Sequence, residues 1–148
     1  MDSRETPLEG EGTPGFPDLV SGLKAIPGCL GVETATTGSG KQVIFAWFEN
    51  RQAALRWYYS EMHQQVMGEF FPERPGGVPL QGVDEDRPIM AIASITFAGK
   101  GAFAETSLPI SQIAIEIYQP ATGGIFLGGR FAPEGVKVPG LLDLVAKR

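Results

Sequence analysis

The stretch "QVIFAWFENRQAALRWYYSEMHQQVMGEFF", residues 42 to 71, changes its hydrophobic period in the middle. From Val43 to Phe48 every position is apolar, with Val43, Phe45 and Trp47 on one face and Ile44, Ala46 and Phe48 on the other. That is the pattern of a strand covered on both faces. Asn50 then offers a side-chain acceptor where a helix begins. At 100° per residue Leu55, Tyr59, Met62, Val66 and Phe70 share one stripe, so a single helix is predicted over about 51 to 70.

Working outward, "CLGVETATT" (29 to 37) reads as a strand, and "GSGK" turns it into the strand at 42 to 49 as a hairpin. "PDLVSGLKAIPG" spaces Leu19, Val20, Leu23 and Ile26 as a helix stopped by Pro27 and Gly28. After a long loop, 72 to 88, "IMAIASITF" is a third strand, apolar on both faces. "QIAIEIYQ" and "GGIFLGGRF", joined by "PATG", read as a second hairpin, and "VPGLLDLVAKR" as a short terminal helix. Residues 1 to 16, polar and rich in Gly and Pro, read as a disordered tail, and 17 to 148 as one domain. The alternation of elements is α+β with a mostly antiparallel sheet.

Composition narrows the function. The 148 residues carry a net charge of -5, and the 12 Lys and Arg are scattered. Nucleic acid would call for a basic patch, so none is expected as a partner. No apolar run reaches the roughly 18 residues of a membrane span, and the N-terminus lacks the apolar core of a secretory signal. One cysteine, Cys29, makes no internal disulfide, which suits a reducing cytoplasm. With one His and one Cys no metal-ligand spacing exists, and neither metal nor cofactor is expected. "TGSGKQ" (37 to 42) fails as a phosphate loop, because Ala35 stands at the first Gly position and Gln42 at the Ser or Thr position.

The segment "IPGCLGVETATTGSGKQVIFAWFENRQAALRWYYSEMHQQ", residues 26 to 65, resembles the antibiotic biosynthesis monooxygenase family. The resemblance lies in a "PGCLG" approach to a strand, an apolar strand ending in "WFEN", and a following helix with aromatics, Ser60 and His63. It implies a ferredoxin-like sheet with helices on one face, paired into a dimeric α+β barrel. It further implies cofactor-independent oxygenation of a planar aromatic compound in a pocket between sheet and helices. Two departures stand out. The segment before the first helix is a poor strand, and an additional hairpin spans 113 to 131, one strand of which would take the missing strand's place. The heme-degrading branch would require a His at Met67 and an Asn on a first strand, so only its tryptophan, Trp57, is matched.

His63 is the candidate acid or base, since an unperturbed imidazole titrates near pH 6.5. The wheel puts it at the edge of the apolar stripe, where a half-exposed histidine bonded to backbone is the plainer reading. Trp57 falls on the side of Glu61 and Gln64, as a packing or ligand-stacking residue. Trp47, Tyr58, Tyr59 and Asn50 complete the candidate ligand-binding set, with core or interface packing as the alternative for the aromatics. The expected function is therefore a small dimeric protein that binds an aromatic ligand. The alternative is a non-catalytic binding or structural dimer on the same fold. The dimer is expected because two strands are apolar on both faces while the helices can cover only one.

Overall fold

The computed structural model describes residues 18 to 73, 77 to 98 and 109 to 145. The tail assigned to 1 to 16 lies outside them. The elements are α1 (Leu19–Lys24), β1 (Cys29–Thr36), β2 (Gln42–Phe48), α2 (Arg51–Tyr58), α3 (Glu61–Phe70), β3 (Ile89–Phe97), β4 (Ile110–Tyr118), β5 (Ile125–Phe126) and β6 (Leu142–Asp143). The first four strands form one antiparallel sheet in the order β1-β2-β3-β4. The class is α+β, with the helices on one face.

Each local choice has a sequence cause. Asp18 caps α1 by accepting from the Ser21 amide, and Asn50 caps α2 by accepting from the Ala53 amide at 2.9 Å. The β1–β2 turn closes as the glycines predict: the Thr37 amide donates to the Lys41 carbonyl, and Gly40 takes φ +91°. Gly28, at φ +91°, leads into β1 directly under α2, where a Cβ would come within 2.5 Å of the Ala53 Cβ.

The predicted long helix is two helices. Ser60 adopts extended backbone and caps α3, accepting from the His63 amide at 3.2 Å, while its own hydroxyl donates to the Trp57 carbonyl at 2.7 Å. A serine that satisfies both helix ends favours a break over continuation. The phase of the wheel therefore restarts at residue 61. In α2 the buried residues are Ala53 and Ala54 rather than Leu55, and in α3 they are His63 and Val66.

The second hairpin does not form. β4 pairs with β3 along its length, but β5 pairs in parallel with β6, two residues each. Residues 142 to 143 are thus a strand where a terminal helix was predicted. β4 lies at the sheet edge, so it does not fill the place of a missing first strand. In a split β-α-β unit a further strand lies between those that the helix joins; here β2 and β3 pair directly, from Gln42 opposite Ile95 to Phe48 opposite Ile89.

β2 is buried on both faces, as read. Ile44, Ala46 and Phe48 join Leu19, Leu23, Ala53 and Val66 in the core beneath the helices. On the other face Trp47 is only 3% exposed. Its cover is this chain's own C-terminal segment. Phe131 meets Phe45 and Trp47 edge-on, at centroid distances of 4.9 and 5.2 Å. Arg130 donates to the Glu134 and Val136 carbonyls and folds the segment back, and Val136 is fully buried. Pro133 lies over Gly31, where a Cβ would approach within 2.6 Å of it. A partner subunit is therefore not required to cover Trp47, which corrects the face count from the sequence.

Trp47→Ala is expected to cost about 3–5 kcal/mol in urea unfolding. A loss below about 1 kcal/mol would mean that the C-terminal cover contributes little in solution.

Candidate functional site

Between the helices and the sheet lies a cavity of about 370 Å³. Its floor is made by alternate residues of three strands, Ile44 of β2, Ile89 to Ile95 of β3, and Ile113 to Ile117 of β4. Alternation along each strand sends these side chains to the helix face together. The roof is Trp57 and Tyr58 of α2 with His63, Val66 and Met67 of α3. Pro79 and Leu80, from the loop after α3, close one side. The lining is apolar except for the polar groups of His63, Tyr58 and Trp57, and the volume falls within the ~300–1,000 Å³ common for ligand pockets.

The helix break builds the histidine's seat. Because α3 restarts at Glu61, His63 sits in its first turn, facing inward, and is only 7% exposed. Its Nδ1 lies 2.9 Å from the Tyr58 carbonyl, at the end of α2. A carbonyl oxygen only accepts, so Nδ1 carries the proton, and in the neutral ring the lone pair belongs to Nε2. Gln64 Nε2 donates to the same carbonyl. The Trp57 and Tyr58 rings lie 5.3 and 5.1 Å from the imidazole, tilted against it. The half-exposed histidine of the sequence reading is thus a buried one. Its backbone hydrogen bond is as that reading had it.

Trp57 is half-buried and packs against the core, beside Gly22 of α1, whose lack of a side chain lets Met62 and Trp57 approach closely. Tyr58 lines the cavity, and Tyr59 does not: it is 62% exposed, its ring edge-on to Tyr58. Trp47 is on the opposite face of the sheet, against Phe131. Asn50 is occupied as the α2 cap, outside the lining. Of the sequence candidates the cavity gathers His63, Trp57 and Tyr58.

The residues that the sequence reading missed are the aliphatic floor and Leu80. Leu80 is at φ +60°, a conformation that costs a non-glycine residue energy. Its loop is tied at both sides: the Arg51 amide donates to the Glu85 carbonyl, and the Asp84 amide and carbonyl both bond the Gln119 side chain. The acidic run at 84 to 86 contributes two ion pairs to this anchoring, Asp84 with Arg87 and Glu85 with Arg51. The sequence reads 72 to 88 as a long loop, but nothing in it says that Leu80 points inward.

Cys29 touches the same core, and its Sγ lies 3.7 Å from the Gly31 carbonyl. Burial pushes its thiol above the ordinary value, outweighing the nearby Lys24 ammonium. No family model, curated protein or solved structure matches the chain. Among the described residues no three His, Cys, Asp or Glu side chains cluster as a metal site, and no helix is long and apolar enough to cross a membrane.

Two outcomes follow for Cys29. At pH 8 its alkylation by iodoacetamide should be slower than in urea-unfolded chain, because the thiolate is the reactive form. Since the folded value is raised, the neutral thiol's contribution to stability is whole below the unfolded value and is lost as pH rises through the folded one. Titration of stability above pH 9 should therefore show a loss that Cys29→Ser removes.

Proposed function

We propose that this protein binds a small, planar, apolar molecule of aromatic type in the cavity between its sheet and helices, and works as a homodimer. The carrying observation is the apolar cavity of about 370 Å³ with the chain's one histidine in its wall. Apolar surface supplies affinity for such a ligand at about 25 cal/mol per Å² removed from water. Trp57 and Tyr58 offer ring faces or edges against which a planar ligand packs. A wall this poor in polar groups disfavours charged ligands, whose desolvation nothing here offsets.

The resemblance to the antibiotic biosynthesis monooxygenases belongs to this proposal, with the ferredoxin-like kinship that it implies; the paired barrel that it also implies would need the sheet face that Phe131 and Pro133 cover. Four antiparallel strands with helices on one face support the kinship, and the direct pairing of β2 with β3 counts against it. Oxygenation is a second reading, favoured by the placement of His63. An imidazole whose Nδ1–H is held by a carbonyl is oriented as a base for removing a ligand proton from a molecule in the apolar cavity. The compartment proposed is the cytoplasm.

Titration with 1-naphthol should quench tryptophan fluorescence saturably, and Trp57→Phe should remove most of that quench while Trp47 remains. His63→Ala should weaken the affinity about tenfold, the worth of one good hydrogen bond. Its effect on folding should be smaller, because the Tyr58 carbonyl keeps its Gln64 donor. Unsaturable, non-specific quenching up to the probe's solubility would contradict the proposal. Equal losses of affinity and stability would make His63 a purely structural residue.

A further inference from the structure

The two edges of the four-stranded sheet differ. β1 carries Glu33, Thr34 and Thr36, and its start is bulged and overlain by Pro133 at Gly31. Charges, bulges and prolines are the usual guards of an edge strand. β4 has less of this: one charge, Glu116, and a bulge at Ser111 near its start, beyond which Gln112 to Tyr118 pair regularly with β3. It is nine residues long, ISQIAIEIY, paired to β3 on one side. No described residue hydrogen-bonds the backbone along its outer side. Ile115 and Ile117, which floor the open side of the cavity, are each 39% exposed. A long apolar edge of this kind is a template for another strand.

We propose that the strand it receives is β4 of a second copy, paired antiparallel about a two-fold axis at Ile115. This rests on the homodimer of the functional reading and names its surface. The sequence of β4 is self-complementary in that register. On the cavity face Ile113 stands opposite the second copy's Ile117, Ile115 opposite its equivalent, and Ile117 opposite Ile113. On the other face Gln112 stands opposite Tyr118, and Ala114 opposite Glu116. Glu116 is the one charged residue of the strand, and this register keeps the two copies' carboxylates apart. Shifting the axis by one residue, to Glu116, would set them directly against each other, which is unfavourable. The Tyr118 hydroxyl also donates to Glu116 Oε1, which occupies that carboxylate on its own strand. The pairing makes one eight-stranded sheet with the helices of both copies on the same side. It extends each cavity floor with the isoleucines of the second copy, so the site's open side is closed by the dimer.

Sedimentation equilibrium tests this directly. The chain at micromolar concentration is expected near 32 kDa, twice 15.8. Ala114→Glu places a carboxylate opposite the second copy's Glu116 at both symmetry-related positions and should weaken the dimer about tenfold, since like charges directly opposite each other repel. Adding Glu116→Lys to that variant should restore it, and Ala114→Lys alone should not weaken it; circular dichroism confirms folding of each. A wild-type chain that stays at 15.8 kDa up to 100 µM, including one whose β4 accepts only a foreign strand, overturns the proposal. Equal weakening by Ala114→Glu and Ala114→Lys, or no rescue in a folded double variant, overturns the register. The naphthol titration is independent. A monomer that still binds the probe leaves the cavity reading standing, and an intact dimer that does not bind it removes that reading alone.

Discussion

The rest of the structure depends on β2 having no polar face. A strand that is apolar at six consecutive positions cannot lie with one side in water, so the chain must supply two covers. The first is helical: α1, α2 and α3 lie over Ile44, Ala46 and Phe48. The second is irregular. The segment from Arg130 to Val136 has no strand or helix of its own, yet it brings Phe131 and Pro133 onto the opposite face. Its backbone is held by the Arg130 guanidinium, which replaces the ladder that regular structure would provide. One cover is made of rigid elements and the other of a folded-back loop, and only the rigid side encloses a cavity with an imidazole in its wall.

That cavity exists because the helical cover is in three pieces. A straight helix over 51 to 70 would have kept one phase and turned Leu55 and Tyr59 inward. Ser60 breaks it, closing α2 with its hydroxyl and opening α3 with its side-chain oxygen. The restart brings His63 into the interior, beneath the free carbonyl end of α2, where the Tyr58 oxygen holds its ring. Short pieces cover the β1–β2 half of the sheet closely and leave the β3–β4 half to Pro79, Leu80 and open space. A conformationally costly Leu80 at this margin is what one expects where a chain must close a pocket rather than fill a core.

The parts of this arrangement that were legible in the sequence are those governed by local period. β3 was read at its observed limits, 89 to 97, because a run of nine residues, apolar but for Ser94 and Thr96 and bounded by Pro88 and Gly99, leaves little freedom. β1, β2, their turn and the caps at Asn50 were equally local. The helix break was not read, because serine inside a helix is common and its choice to cap depends on the chain's change of direction. The failed second hairpin has the same origin. Ile125 and Phe126 look like strand residues, but Gly123 and Gly124, both at positive φ, turn them away from β4 toward residues 142 and 143. Trp47 was readable as buried but not as lying on the face away from the site, since alternation says which residues share a face and not which face the helices choose. The cavity floor escaped notice because isoleucines at every second position are the signature of any buried strand.

The central claim is that the helix face of the sheet holds an apolar cavity, open at its β4 side, while the opposite face is closed by the C-terminal segment. A crystal pressurised with xenon tests it most directly, because xenon enters dry apolar cavities without needing a polar partner. The structure predicts xenon between Ile44 and Ile89 of the sheet and Trp57 and Val66 of the helices, and none between Phe131 and Trp47. Xenon absent from the helix side, with the surrounding side chains collapsed into that space, would contradict the account.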